Sequence, residues 1–331
     1  MLENPRVAFL GPAASFSHQA TLESFGRKAI LSPLTSFRDV FAALQSKEVD
    51  YAVVPFENST NGSVVQALDL LADRDKLFGD IAVCGEHYLT VHHCLLVYGL
   101  KNVSKQGTAN GNDRGNDSTT NGGGEDKDSR YKSITKLYTH PQAWGQCEKF
   151  LSKHFKGVER QDVSSTSKAA QIVSEQAADS NAAIASKLAA EHHDLEILSE
   201  NIEDDSGNNT TRFLILRNVT AQGTEGRDNK STSGEGSEPQ TKWKTLVSFM
   251  INHTSPGALA DALVIFKAHG MNLTSINTRP SLVRPWQYVF FVECARIQGV
   301  HDDDVVCKIL KDLQEVTESC RDLGTWMEQQ N

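Results

Sequence analysis

Residues Glu203 to Asn218 read EDDSGNNTTRFLILRN. Small amide and hydroxyl side chains crowd ahead of Arg212, and Phe213 to Leu216 are apolar without a break. Such a run, bounded by turn-forming residues, reads as a buried strand. The polar block in front of it has two readings. It is a turn that leads into the strand, or it holds a hydrogen-bond donor at the edge of a sheet. Thr210 and Thr211 sit at the join.

Upstream of this strand, strands and helices alternate. RVAFL, DYAVVPF and KLYTH read as strands. Phe37, Val40, Phe41 and Leu44 follow the i, i+3, i+4, i+7 rule of an amphipathic helix, and Val64, Val65, Leu68 and Leu71 mark a second. PQAWGQCEKFLSKHF reads as one helix opened by Pro141 at its first turn. SKAAQIVSEQAA and NAAIASKLAAEHH read as two more. Alternation of this kind predicts a largely parallel α/β sheet. Downstream, KTLVSFMIN, MNLTSINTRP, WQYVFFVECA and CRDLGTW read as strands. GALADALVIFKAHG, stopped by Gly270, and DDDVVCKILKDLQEV, acidic at its start, read as helices. The order βαββαβ is the ferredoxin-like arrangement.

Two stretches, Lys101 to Arg130 and Thr220 to Thr241, are nearly devoid of apolar residues. They bury too little to offset the entropy of ordering them, so the first reads as a floppy insertion and the second as an interdomain linker. A chain of 331 residues exceeds one compact core, and two domains are expected. Lys plus Arg total 33 against 42 Asp plus Glu, a net charge of −9. Neither nucleic acid nor an anionic membrane is the partner this balance suggests. No apolar run approaches a bilayer span, and no leader precedes RVAFL, so a cytoplasmic location is expected. The six cysteines form no CxxC pair and read as reduced, mostly buried thiols. The eleven histidines lack ligand spacing, and His18, His87, His92, His93 and His140 read as structural or surface groups. Neither a metal nor a cofactor is expected, since the nucleotide loops GxGxxG and GxxxxGK[ST] and the GxSxG elbow are missing from the sequence.

The informative residues cluster at strand-to-helix turns: GPAASFS with Ser15 and Ser17, VPFENSTNGSV with Asn58, Ser59, Thr60 and Ser63, THPQAW, and DVSSTSKAA with Ser164 to Ser167. In open α/β sheets ligands bind at the carboxyl ends of strands, where helix N-termini favour anions. A small anion held by amides and hydroxyls fits four such turns that lack a Lys or Arg cluster. Each turn taken alone also fits plain helix capping. Glu57 is the lone carboxylate in the sharpest of them, a candidate base or a structural acid.

Taken together, GPAASFS, VPFENSTNGSV, THPQAWGQC, SSTSKAA, AAIASKLAA and NNTTRFLIL, followed by GALADALVIFKAHGMNLTSINTRP and YVFFVE, closely resemble the prephenate dehydratases that carry a C-terminal ACT regulatory domain. The resemblance implies a two-lobed catalytic domain like type II periplasmic binding proteins over 5–219 with the 101–130 insertion, a linker over 220–241, and a ferredoxin-like ACT domain over 243–328. It implies that prephenate loses carbon dioxide and water to give phenylpyruvate, with no cofactor. The family's Thr-Arg-Phe motif falls on Thr211, Arg212 and Phe213, which gives Thr211 the essential role and makes Thr210 its spacer and Asn209 a cap or orienting partner. Ser15, Phe16, Asn58, Ser59, Gly62, Ser165, Thr166, Ser167, Arg212 and Phe213 are the implied substrate contacts. For Arg212, either a substrate carboxylate or Glu57 is the implied partner.

By the same resemblance, Gly257, Ala258 and Leu259 with Asn277, Thr278, Arg279 and Pro280 frame an L-phenylalanine site where ACT domains pair, in a dimer or tetramer. Two places depart from the family. Ala14 and Ser15 stand where Gly and Thr are usual, although Ser15 keeps a hydroxyl. Asn277 and Thr278 replace Glu and Ser, which bears on effector affinity. An arogenate dehydratase and a non-catalytic solute sensor are the rival readings.

Overall fold

In the computed structural model, which describes residues 4–99, 125–221, 242–296 and 303–329, the strand of the opening stretch spans Thr210–Asn218. Phe213, Leu214, Ile215 and Leu216 are all buried, as expected for a strand covered on both faces. It is β11 of a sheet built from β1 (Arg6–Leu10), β2 (Ile30–Leu34), β3 (Tyr51–Asn58), the short β4 (Gly62–Ser63) and β5 (Ile81–Thr90). The order is β2-β1-β3-β11-β5, with β4 paired to β3. β1 runs parallel to β2 and β3, but β11 runs antiparallel to β3. Helices α1 (Phe16–Phe25), α2 (Phe37–Gln45) and α3 (Val65–Ala72) belong to this stretch of chain. The sheet is therefore mixed rather than largely parallel, because apolar periodicity reports burial and not direction.

The second sheet has β6 (Cys94–Val97), β7 (Lys136–Thr139), β8 (Glu159–Asp162), β9 (Asn181–Ala185) and β10 (Glu196–Ser199), in the order β10-β6-β9-β7-β8. Its helices are α4 (Glu125–Ser133), α5 (Pro141–Gln146), α6 (Glu148–His154), α7 (Thr166–Gln176) and α8 (Lys187–His192). Three sequence expectations are corrected here. The alanine-rich NAAIA is a strand, not the start of a helix. It pairs with β6 on one side and β7 on the other, and its small side chains pack against Ala169 and Ala170 of α7. Tertiary packing overrides alanine's helix propensity, and Ser186 starts the helix proper by accepting from the Ala189 N–H. The expected single helix from Pro141 breaks at Cys147, where Asp204 accepts from the Lys149 N–H and donates its own N–H to the Gln146 carbonyl. Within the expected floppy insertion, residues 125–130 belong to α4, and Arg130 makes a two-point ion pair with Glu196. Residues 101–124 and 222–241 lie outside the described residues.

The third sheet follows the expected βαββαβ order: β12 (Trp243–Met250), α9 (Ala258–Ala268), β13 (Met271–Pro280), β14 (Tyr288–Arg296), α10 (Asp303–Val316) and β15 (Ser319–Met327). Its strand order is β13-β14-β12-β15, antiparallel throughout. One face packs Val247, Phe249, Phe290 and Val292 against α9 and α10. The other face sends Leu246, Phe291, Leu323 and Trp326 into the same core as Phe41, Leu71, Val83 and Leu214 of the first sheet. Burying a Phe or Leu there contributes about 1.5–3 kcal/mol each.

The chain accordingly divides into two compact units. One holds Met1–Gly11, Ala20–Leu89 and Thr210–Asn331, and the other holds Pro12–Gln19 and Thr90–Asn209. The βαββαβ region thus shares a unit with the first sheet. Contact between them is close at Gly324 on β15, whose φ is +121°. A Cβ there would overlap the Val83 carbonyl oxygen and lie 2.8 Å from the Val83 nitrogen. Among the described residues no helix is long and apolar enough to cross a membrane.

Candidate active site

The end of β3 faces the start of β11, with Asn58 opposite Thr211 in the ladder. The Asn58 amide donates to Thr211 Oγ1 at 3.0 Å and to the Thr210 carbonyl at 3.3 Å. Its other end is fully engaged: Asn58 Oδ1 accepts from the Thr60 N–H, the Thr60 hydroxyl and the Asn61 N–H. Three donors on the oxygen fix which way the amide points. Ser59 adds a two-way clamp, donating its N–H to the Thr210 carbonyl and accepting the Thr210 N–H at its hydroxyl, both at 2.9 Å. Thr211 Oγ1 therefore accepts from Asn58, and its own proton meets no acceptor among the described residues. The orienting amide is that of Asn58. Asn209, expected in that role, is buried and accepts at its carbonyl from the Val91 N–H.

Arg212 turns into the protein and is almost fully buried. Its Nε donates to Glu86 Oε2 at 2.8 Å, and one terminal nitrogen makes a close ion pair with Glu293 of β14. Glu57 is 3.9 Å away, a weaker third partner. The guanidinium also lies over the rings of Phe56, Tyr88 and Trp326. Lys244 of β12 completes the group, 3.2 Å from both Glu86 and Glu328 and 3.0 Å from the Tyr88 hydroxyl. Burial opposes the Arg212 charge, but Glu293 and Glu86 hold its pKa above the ordinary arginine value. The sequence reading missed Glu86, Lys244 and Glu293. The signal was there: each is a charged side chain within a largely apolar strand. Phe213 is enclosed in the sheet core. Gly62 is exposed on β4.

In the second unit the structure joins two of the predicted turns. Ser15 Oγ accepts from the His18 N–H at the start of α1, and His18 Nδ1 accepts from the Ala14 N–H at 2.9 Å. Ala14 sits at φ +60°, in the region that glycine favours, where the family usually has glycine. Ser165 caps α7 by accepting from the Lys168 N–H, and Thr166 is the first residue of that helix. Ser167 donates to the Ala13 carbonyl at 2.6 Å and ties this turn to the first one. Phe16 meets the His93 ring edge to face at 5.6 Å. Burial lowers the pKa of His93, whose Nε2 pairs with Gln146 while its Nδ1 is buried without a partner. Glu203, which opens the quoted stretch, accepts from the His93 N–H and pairs with His92. Burial alone would raise its pKa, and these partners bring it below the usual value.

The predicted effector residues fall on two elements. Gly257 to Leu259 start α9, and Asn277 to Pro280 end β13. Thr278 is exposed, whereas its neighbours reach the first sheet's chain. Asn277 Oδ1 accepts from Ser63 Oγ at 2.6 Å, Arg279 makes a two-point pair with Asp69 of α3, and Arg74 donates to the Pro280 carbonyl at 2.8 Å.

Residues 7–221 match the prephenate dehydratase family, and the chain belongs to it. Over 97% of its length it is 36% identical to a bifunctional chorismate mutase/prephenate dehydratase of Aquifex aeolicus, of which it covers 73%. It is 34% identical to a probable prephenate dehydratase of Saccharomyces cerevisiae, over 87% of this chain and 86% of that protein. Among solved structures, the prephenate dehydratase of Arthrobacter aurescens in complex with L-Phe superposes with a TM-score of 0.73. It is 25% identical and spans 98% of this chain and 90% of that one.

Proposed function

We propose that this chain is a prephenate dehydratase and converts prephenate to phenylpyruvate, carbon dioxide and water. As the ring carboxylate departs as carbon dioxide, its electron pair enters the ring and the ring hydroxyl is expelled. Aromatisation drives the reaction, but hydroxide is a poor leaving group and needs a donor at its oxygen. A neutral hydroxyl donates without titrating near neutral pH. The Asn58–Thr211 hydrogen bond is the observation that carries this reading, since it leaves the Thr211 proton to be given and fixes its oxygen in advance.

Asn58, Ser59, Gly62, Ser15, Phe16, Ser165, Thr166 and Ser167 are the proposed substrate contacts, carried over from the family resemblance. The N-termini of α1 and α7 suit the two carboxylates of the dianion. Arg212 and Phe213, with enclosed side chains, support Thr211 from behind rather than touching substrate. Replacing Thr211 with Ala is expected to lower turnover by about 10²–10³ with the fold intact, while Thr210→Ala is mild. Steady-state rates and thermal melts of purified variants test this, and a fully active Thr211→Ala overturns the assignment. Rates on prephenate and arogenate in one assay decide between those two substrates.

The βαββαβ region is the proposed ACT-type sensor for L-phenylalanine. The fold likeness to a relative solved with L-Phe supports that reading. Pairing of two such regions is supported by apolar side chains exposed on β13 and α9, namely Leu273, Ile276 and Val264. Feedback requires that the effector bind one state better than another. Calorimetry with L-phenylalanine and sedimentation with and without it test the two claims separately. A cytoplasmic location agrees with six free thiols.

A further inference from the structure

Thr211 is the residue before Arg212 on β11, and the ladder with β3 is irregular immediately after Arg212. Regular pairing holds Thr211 and Arg212 on one side and is interrupted just beyond them, and the side-chain grip on Arg212 secures the strand beside that interruption. That grip comes from Glu86 on the adjacent strand β5 and from Glu293 on β14 of the C-terminal sheet. Glu293 is itself aimed by Thr274 of β13, whose hydroxyl donates to its Oε1 at 2.8 Å. Within this cluster the four buried charges, Arg212 and Lys244 against Glu86 and Glu293, sum to zero. Next to its ladder with β3, the catalytic strand is thus also held by a carboxylate that belongs to the other sheet.

We propose that Glu293 is a positioning residue for the dehydration: by gripping Arg212 it holds Thr211 Oγ1 within reach of Asn58 and aimed at the departing hydroxyl. This rests on the assignment of Thr211 as the donor. Misplacing a reacting group by about 1 Å is enough to lower a rate on the order of a hundredfold. Glu293 reaches the reaction only through Arg212, so the loss falls on kcat and leaves KM nearly unchanged.

Three variants test this beside the wild-type chain, each followed by kcat, KM and melting temperature with prephenate. Glu293→Gln leaves one buried positive charge in excess. It is expected to lower kcat about tenfold or more and to lower the melting temperature. The double variant Glu293→Gln with Lys244→Met restores charge balance. It is expected to regain melting temperature but not kcat. Thr274→Val leaves every charge in place and frees the carboxylate to tilt, with a kcat loss of about threefold expected. If the double variant regains both properties, or if Thr274→Val turns over like wild type, Glu293 is a charge-balancing group only and the proposal fails. A wild-type chain without turnover removes the donor assignment and this role together.

Discussion

The two units use hydroxyl side chains in different ways. In the second unit Ser15, Ser165 and Ser186 each accept from an N–H three residues further along the chain. Their geometry is a property of one helix start, and any protein could repeat it. In the first unit Thr211 is oriented by an amide 153 residues away, on a neighbouring strand whose own oxygen is locked by three donors. The contrast teaches that a hydroxyl in a local cap is a structural element first. One oriented across a sheet has been given a direction that no local rule requires.

The contrast breaks most readily at Asn58. In Asn58→Asp the side chain has no N–H to donate, so the Thr211 hydroxyl turns to give its proton to the new carboxylate instead of to substrate. A fall in kcat of about tenfold to a hundredfold is expected, and stopped or steady-state assays on prephenate measure it. Retention of full turnover would mean that the direction of the Asn58–Thr211 bond is irrelevant. A smaller effect is expected at the local cap. Ser165→Ala removes the α7 cap and is expected to cost about 1 kcal/mol of stability. Its effect on kcat should be well below that of Asn58→Asp, as urea titration and rates on the same sample will show.

The smallest effect is in pH dependence. His93 has a folded pKa lowered from 6.5, first by burial, with Gln146 and Glu203 pulling the other way. Its Nδ1 has no acceptor to receive a proton. A depressed histidine contributes stability that is complete above the unfolded pKa and is lost as pH falls through it. The melting temperature is therefore expected to decline between about pH 7 and about pH 5, and His93→Gln is expected to flatten that decline. An unchanged slope in the variant would assign the decline to other groups, with His18, His140 and His193 next in line since burial lowers each of them too.

Much of this molecule was legible because its signals are local. Apolar periodicity gave α2, α3 and the buried core of β11. The complete βαββαβ order followed from six compact segments punctuated by Gly270 and the acidic start of α10. What escaped depended on partners far away in sequence. NAAIA is helical by propensity and a strand because β6 and β7 flank it. The direction of β11 is not written in its alternation of side chains. The hydroxyl turns were readable, and family resemblance singled out Thr211, but the amide that aims it and the charges behind Arg212 were not. Glu86, Lys244 and Glu293 are charged letters in largely apolar strands, separated from Arg212 by as many as 126 positions. Only folding brings them to one place.

Gly324 has a consequence for how freely such chains can be recombined. Its backbone meets Val83 with no room for even a methyl group, at a φ that side chains avoid. The C-terminal sheet is thus fitted to this particular neighbour. A foreign βαββαβ domain joined after residue 241 would keep that outline. Without a bare backbone at this one point on its last strand, it would stand off from the first sheet and lose its hold on Arg212.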